Sequence, residues 1–121
     1  DLTARNVLRQ AQFEADGGAG EVVGWLNTVT IENVHPSTVV ALRMNGLSGD
    51  AKALKLYAYG PDGRLSEVPA ELWHIQQEDG VSPETLDADT LYEVHVTVQD
   101  DDALDLSEEA KTIKLSVVLG R

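Results

Sequence analysis

The residues with the clearest capacity for chemistry are the carboxylates that connect the last two predicted strands. Four aspartates crowd this connection: Asp100, Asp101, Asp102 and Asp105. Proteins bind Ca²⁺ through about six to eight oxygen atoms, many of them from carboxylates, so these positions are candidate Ca²⁺ ligands. Their spacing lacks the central glycine of an EF-hand loop. We therefore predict that no cofactor is required and that Ca²⁺ is the possible ligand.

Two tyrosines suggest a second kind of ligand site, because exposed aromatic rings stack against sugars. Tyr57 and Tyr59 alternate along one predicted strand and are expected to point outward from it. They are therefore candidates for a carbohydrate platform. Trp25 and Trp73 are interpreted as core residues, because their neighbours are apolar. If they were exposed instead, they too could stack against a sugar.

The histidines and the known catalytic motifs give no support for an enzyme. His35, His74 and His95 have no partner at a spacing typical of a metal ligand or a general base, so we interpret them as turn or surface residues. The sequence contains no G-x-S-x-G, no H-E-x-x-H, no glycine-rich phosphate loop and no cysteine nucleophile. We therefore predict a protein without catalytic activity.

The charge of the chain argues against anionic partners. It has 21 acidic and 9 basic residues, for a formal net charge of −12, and residues 65–110 contain no lysine or arginine. Such a surface repels phosphate groups, which disfavours nucleic acids and anionic membranes. We interpret the acidic half first as a solvated face and second as a surface for divalent cations.

The location of the protein is inferred from what the chain lacks. Without cysteine there are neither disulfides nor thiolate metal sites, and the redox compartment is left open. No apolar run approaches the roughly 20 residues that cross a bilayer, so we predict no membrane insertion of the present chain. The start at Asp1, without an initiator methionine, suggests a processed chain. We therefore expect an extracellular or cell-surface protein.

Alternation of apolar and polar residues predicts strands along most of the chain. The predicted strands cover residues 21–31, 38–44, 53–59, 64–68, 71–76, 91–98 and 112–119. Gly60-Pro61-Asp62-Gly63 predicts a hairpin, because proline presets the turn and glycine accepts a positive φ. Short strands at regular spacing predict an all-β fold, an antiparallel β-sandwich of about seven to eight strands, Ig-like or jelly-roll-like.

Three stretches carry a resemblance to known modules. Residues 90–98 read T-L-Y-E-V-H-V-T-V, residues 111–119 read K-T-I-K-L-S-V-V-L, and residues 56–65 read L-Y-A-Y-G-P-D-G-R-L. The first two resemble the last two strands of immunoglobulin-like and fibronectin-type-III-like modules of surface proteins, and the third resembles their middle strands. The resemblance covers roughly the last two thirds of the chain. It implies an adhesive, spacing or assembly role.

Residues 1–20 are predicted to form an N-terminal arm with a glycine-rich hinge, before a single β-sandwich domain at residues 21–121. The apolar positions of the arm fit either a helix or a strand. Its candidate contact residues are Val7, Leu8, Ala11 and Phe13. Such an arm docks on its own domain, or adds a strand to the sheet edge of a neighbour.

Together these features predict a non-enzymatic structural protein at the cell surface or outside the cell. It would be a subunit of a self-assembling surface filament or surface layer, or a module of an adhesin. Its expected partners are proteins, in the first place further copies of the same chain. The alternative is a ligand-binding module, for carbohydrate or Ca²⁺, that is appended to a secreted enzyme.

Overall fold

The structure is a computed structural model that describes residues 2–32, 37–99 and 112–121. Within these residues the chain is mostly β, with ten strands, one short α-helix and two 3-10 turns. The strands are β1 (Leu2–Asn6), β2 (Val22–Ile31), β3 (Ser37–Met44), β4 (Gly49–Asp50), β5 (Lys55–Tyr59), β6 (Leu65–Glu67), β7 (Trp73–Gln77), β8 (Thr85–Leu86), β9 (Tyr92–Gln99) and β10 (Ile113–Gly120). The helix is α1 (Gln10–Ala15), and the 3-10 turns are Ala51–Ala53 and Ala70–Leu72. Each predicted strand is present, and the short β1, β4 and β8 raise the count above the prediction.

The strands form antiparallel sheets. The larger sheet has the order β1-β2-β10-β5-β6, the second has the order β3-β9-β7, and β4 pairs with β8 alone. The two C-terminal strands, β9 and β10, are each the central strand of a different sheet. Between β9 and β10 the chain therefore passes from one sheet to the other.

The inward side chains of both large sheets share one cluster of buried residues, called the main core below. Leu56 and Leu115 contribute from the five-stranded sheet, and Val94 and Val96 from the three-stranded sheet, all without measurable exposure. Successive side chains of a strand point to opposite faces, so the predicted alternation places these residues on the inner faces. Two layers that enclose one core make up the architecture.

The predicted hairpin joins β5 to β6. The Gly63 N–H donates to the Gly60 carbonyl at 3.0 Å, and the Gly60 N–H donates to the Arg64 carbonyl at 2.9 Å. Gly63 has a φ of +75°, in the left-handed region that favours glycine. The prediction from the Gly-Pro-Asp-Gly sequence is thereby confirmed.

One prediction about the core is wrong. Trp25 is 50% exposed, although its position in the alternation assigned it to the core. The reason is an irregularity in β2 between Val23 and Asn27, where β2 advances four residues while β10 advances two. Such a bulge re-aims side chains, and here it turns the indole outward. Trp73 is partly buried and packs against the main core, as predicted.

Candidate functional site

The N-terminal arm begins with β1, which lies at one edge of the five-stranded sheet. It runs antiparallel to β2, with Leu2 opposite Thr30 and Asn6 opposite Leu26. Among the described strands β2 is its only neighbour. An edge strand leaves one row of backbone groups unpaired, which makes it a template for another strand. The arm therefore completes its own sheet and also presents a new edge.

Helix α1 follows β1 and anchors the arm on the outer face of the same sheet. Phe13 is fully buried, and its ring meets the Tyr57 ring edge-on, with centroids 5.3 Å apart and planes at 89°. Such aromatic pairs are favourable beyond the area that they bury. The buried residues around them form a satellite cluster, separate from the main core: Leu8, Phe13, Tyr57, Leu65 and Val118.

The glycine-rich segment after α1 is closely packed. A Cβ at Gly18 would clash with the Phe13 ring, and a Cβ at Gly20 would clash with the Arg121 carbonyl oxygen. Gly20 also has a φ of +82°. The Gln10 side chain secures this segment, because its amide donates to the Gly20 carbonyl and its oxygen accepts from the Val22 N–H, both at 2.7 Å. Glycine is therefore required here for close approach as well as for a turn.

The four predicted contact residues of the arm divide into two pairs. Leu8 and Phe13 are buried in the satellite cluster, whereas Val7 is 68% exposed and Ala11 is exposed. The ambiguous helix-or-strand pattern reflects both structures in succession, a strand and then a helix. In this structure the arm is docked on its own domain.

A contact between Tyr59 and Asp16 ties the end of α1 to β5. The Tyr59 hydroxyl donates to the Asp16 Oδ2 at 2.5 Å, and the Gln12 amide donates to Oδ1 at 2.8 Å. Burial, and then the Asp16 carboxylate, raise the pKa of Tyr59 to about 12. The hydrogen bonds from Tyr59 and then Gln12 lower the pKa of Asp16. A hydrogen bond to the charged form of a carboxylate favours that form.

The two candidate sugar-stacking residues have different surroundings. Tyr57 points away from the main core as predicted, but it is only 4% exposed because the arm covers it. Its hydroxyl donates to the Ala19 carbonyl at 3.3 Å. The prediction of an accessible Tyr57 ring is therefore wrong, since alternation alone could not show that a helix lies over this face.

Tyr59 is half-buried and lines an open groove of about 550 Å³. The other residues that line the groove are Thr28, Gly60, Pro61, Gly63, Lys114 and Ser116. The Thr28 and Ser116 hydroxyls lie 2.9 Å apart, in hydrogen-bonding contact. The groove thus offers one aromatic ring and several hydroxyl groups.

The candidate Ca²⁺ ligands lie outside the described residues. They are Asp100, Asp101, Asp102 and Asp105. Within the described ranges, no group of three or more histidine, aspartate or glutamate side chains is placed to hold a metal ion. Ca²⁺ binding at these aspartates stays a prediction.

The sequence analysis missed a pair of histidines. His74 on β7 lies directly opposite His95 on β9, and their ring centroids are 4.9 Å apart. Each was interpreted as a turn or surface residue, because no partner stands near it at a suggestive spacing, and the two are 21 positions apart in the sequence. Only the register between the two strands brings them together.

The recess beside Trp25 lies where the edges of the two sheets meet. Arg5 of β1 donates from Nη2 to the Arg43 carbonyl of β3 at 3.1 Å, and both arginines line the recess. The arm thus contacts the three-stranded sheet through the Arg5 side chain. This contact adds a polar tie to the docked position of β1.

Comparison of the chain with family models, with curated proteins and with solved structures finds no match. In the part of the chain that the structure describes, no helix is both long and apolar enough to cross a membrane.

Proposed function

We propose that the protein is a non-enzymatic structural subunit that assembles with copies of itself at the cell surface or outside the cell. In this proposal the sandwich is Ig-like or jelly-roll-like, and β1 of one copy joins the sheet of the next. The observation that carries the proposal is the way the arm is held. β1 pairs only with β2 among the described strands. The anchor residues of the arm, Leu8 and Phe13, pack in the satellite cluster rather than in the main core.

Exchange between copies would preserve the contacts of the arm. Strand β1 of a neighbour can make the same backbone hydrogen bonds to β2 as the chain's own β1, as in domain swapping. An arm that leaves without a replacement exposes the backbone groups of β2, which must then find another strand. Because each copy both donates an arm and accepts one, the contact propagates head to tail.

The net charge of −12 sets the conditions for such assembly. Copies with the same sign of charge repel each other. At an ionic strength of 0.1 M this repulsion is largely screened beyond about 10 Å. We therefore expect assembly to increase with ionic strength. It should also increase with protein concentration, because each contact joins two molecules.

A disulfide between β1 and β2 tests the proposal, since the natural chain has no cysteine. Ala4 lies opposite Thr28, and directly opposite residues have Cα atoms about 4.5–5.5 Å apart, which suits a disulfide. The variant A4C/T28C, oxidised as a monomer, should remain monomeric at high salt in size-exclusion chromatography. Reduction should restore assembly. Oxidation after assembly should give a covalent ladder on a non-reducing gel.

The matched control is V39C/T97C, which locks β3 to β9 and leaves the arm free. It should assemble in both the oxidised and the reduced state. Assembly of oxidised A4C/T28C, or a wild-type chain that stays monomeric at every salt and protein concentration tried, would contradict strand exchange through the arm.

A second candidate function is carbohydrate binding by a module of a secreted enzyme. The groove beside Tyr59, about 550 Å³ with hydroxyl groups on its walls, favours it. Y59A should then abolish the retardation of the protein by soluble polysaccharides in affinity electrophoresis. Equal mobility of the wild-type chain with and without each polysaccharide would argue against this function.

A further inference from the structure

The outer face of the three-stranded sheet holds two facing imidazoles that the arm does not use. His74 and His95 are cross-strand partners, and their ring planes are inclined at 33° with centroids 4.9 Å apart. Directly opposite residues have Cβ atoms about 4.5–5.5 Å apart, close enough for both side chains to reach one ligand. His74 is exposed and His95 is half-buried.

The reactive nitrogens of both rings are directed the same way along the sheet. His74 Nε2 lies 2.8 Å from Gln76 Oε1, and His95 Nε2 lies 3.3 Å from Glu93 Oε1. Gln76 and Glu93 are themselves the next cross-strand pair on this face. Both Nε2 atoms therefore lie toward the same row of the sheet. Because both oxygens only accept, each Nε2–H donates in these contacts, and a bound ion would replace the two hydrogen bonds.

We propose that His74 and His95 bind one divalent transition-metal ion through their Nε2 atoms, with water as the remaining ligands. Imidazole suits Zn²⁺, Ni²⁺ and Cu²⁺, whereas Ca²⁺ prefers oxygen ligands. With each nitrogen about 2.0–2.1 Å from the ion and a nitrogen–metal–nitrogen angle of about 90° to 109°, the centroids of two bound imidazoles lie roughly 4.5–5.2 Å apart. The observed 4.9 Å falls within this range.

The surroundings of the pair modulate its affinity for a cation. The Glu93 carboxylate lies beside His95 and attracts a cation, whereas Arg43 Nε, 4.0 Å from Glu93 Oε2, opposes it. On the other side of His95, its partner on β3 is the small, exposed Ala41. A bound ion would link β7, an edge strand of the described sheet, to the central β9.

Isothermal titration of the full chain, free of any purification tag, with ZnCl₂ and NiCl₂ tests the site. The wild type should bind one ion, and H74N and H95N should each weaken binding by about tenfold or more. Even the loss of a residue that only hydrogen-bonds to a metal ligand lowers metal affinity by about 10–100-fold. H35N is the matched control and should bind like the wild type. R43Q should strengthen binding and E93Q should weaken it, because they change the nearby charge in opposite directions.

Spectroscopy and thermal unfolding provide independent readouts. The Cu²⁺-loaded wild type should show two imidazole nitrogens in electron paramagnetic resonance, and each asparagine variant should show one. Zn²⁺ should raise the melting temperature of the wild type and leave that of H74N unchanged, because binding to the folded state alone stabilises it. The absence of heat with both metals, or equal affinity in the wild type, H74N and H95N, would overturn the proposal.

Discussion

The two apolar clusters of this protein lie on opposite faces of the same sheet. They differ in which elements contribute their side chains. The main core receives side chains from both large sheets, whereas the satellite cluster joins one sheet face to the arm alone. Consecutive residues of β5 show the contrast, because Leu56 enters the main core and Tyr57 enters the satellite cluster. The main core holds the two layers together, and the satellite cluster holds the arm.

This difference has a consequence for the arm. If Leu8 and Phe13 leave the satellite cluster, then Tyr57, Leu65 and Val118 lose their cover. We expect the main core to keep its packing, since neither arm residue belongs to it. An exposed apolar patch of this kind favours association with another molecule. The sheet face under the arm is therefore expected to bind an arm again, either its own or that of a neighbour.

The largest expected loss of stability comes from a substitution in the main core. L56A removes a fully buried side chain and should lower the free energy of unfolding by about 2–5 kcal/mol, because it leaves a cavity between the sheets. Urea unfolding followed by tryptophan fluorescence measures this change. A loss below about 1 kcal/mol, the size typical of tolerated substitutions, would show that Leu56 is not part of a tightly packed core.

A smaller effect is expected from the anchor of the arm. F13A should lower the free energy of unfolding by about 1–3 kcal/mol, less than the 3–5 kcal/mol typical of phenylalanine in a core, because the arm can release locally. Hydrogen exchange should then accelerate for the amides of β1 and remain slow for those of β9. The same variant should exchange arms faster, since its own arm releases more often, but its final extent of assembly should not rise, because the exchanged contact loses the same ring.

V7A is the matched control for the anchor, because Val7 is in the same arm but is 68% exposed. It should change the free energy of unfolding by no more than about 0.5 kcal/mol. Uniform acceleration of exchange across both sheets in F13A would contradict a separate satellite cluster. The satellite cluster would then open together with the main core rather than by itself.

The smallest effect is expected at the rim of the satellite cluster and depends on pH. The pKa of Tyr59 is raised from 10.0 to about 12, so the folded state favours the neutral phenol. Its contribution to stability is fully present below pH 10 and is lost as the pH rises from 10 to about 12. Urea unfolding of the wild type and Y59F at several alkaline pH values should therefore give a stability difference that shrinks with pH. A difference that is constant with pH would show that Tyr59 titrates normally.

Much of the local structure was predictable from the sequence. The alternation in β5 and β10 correctly assigned Leu56 and Leu115 to the inner face, and the Gly-Pro-Asp-Gly sequence correctly located the hairpin. The candidate site was predicted only in part. Phe13 was identified as an arm contact, but its burial against Tyr57 and the pairing of His74 with His95 were not foreseen.

The sequence by itself determined which residues of each strand share a face, because the period of two is a local property of an extended backbone. Only the tertiary structure decided which strands became neighbours and what covered each face. The bulge that turns Trp25 outward and the helix that buries Tyr57 both depend on contacts with residues distant in the sequence. Contacts between distant residues arise from chain topology, and no local pattern of residues encodes them.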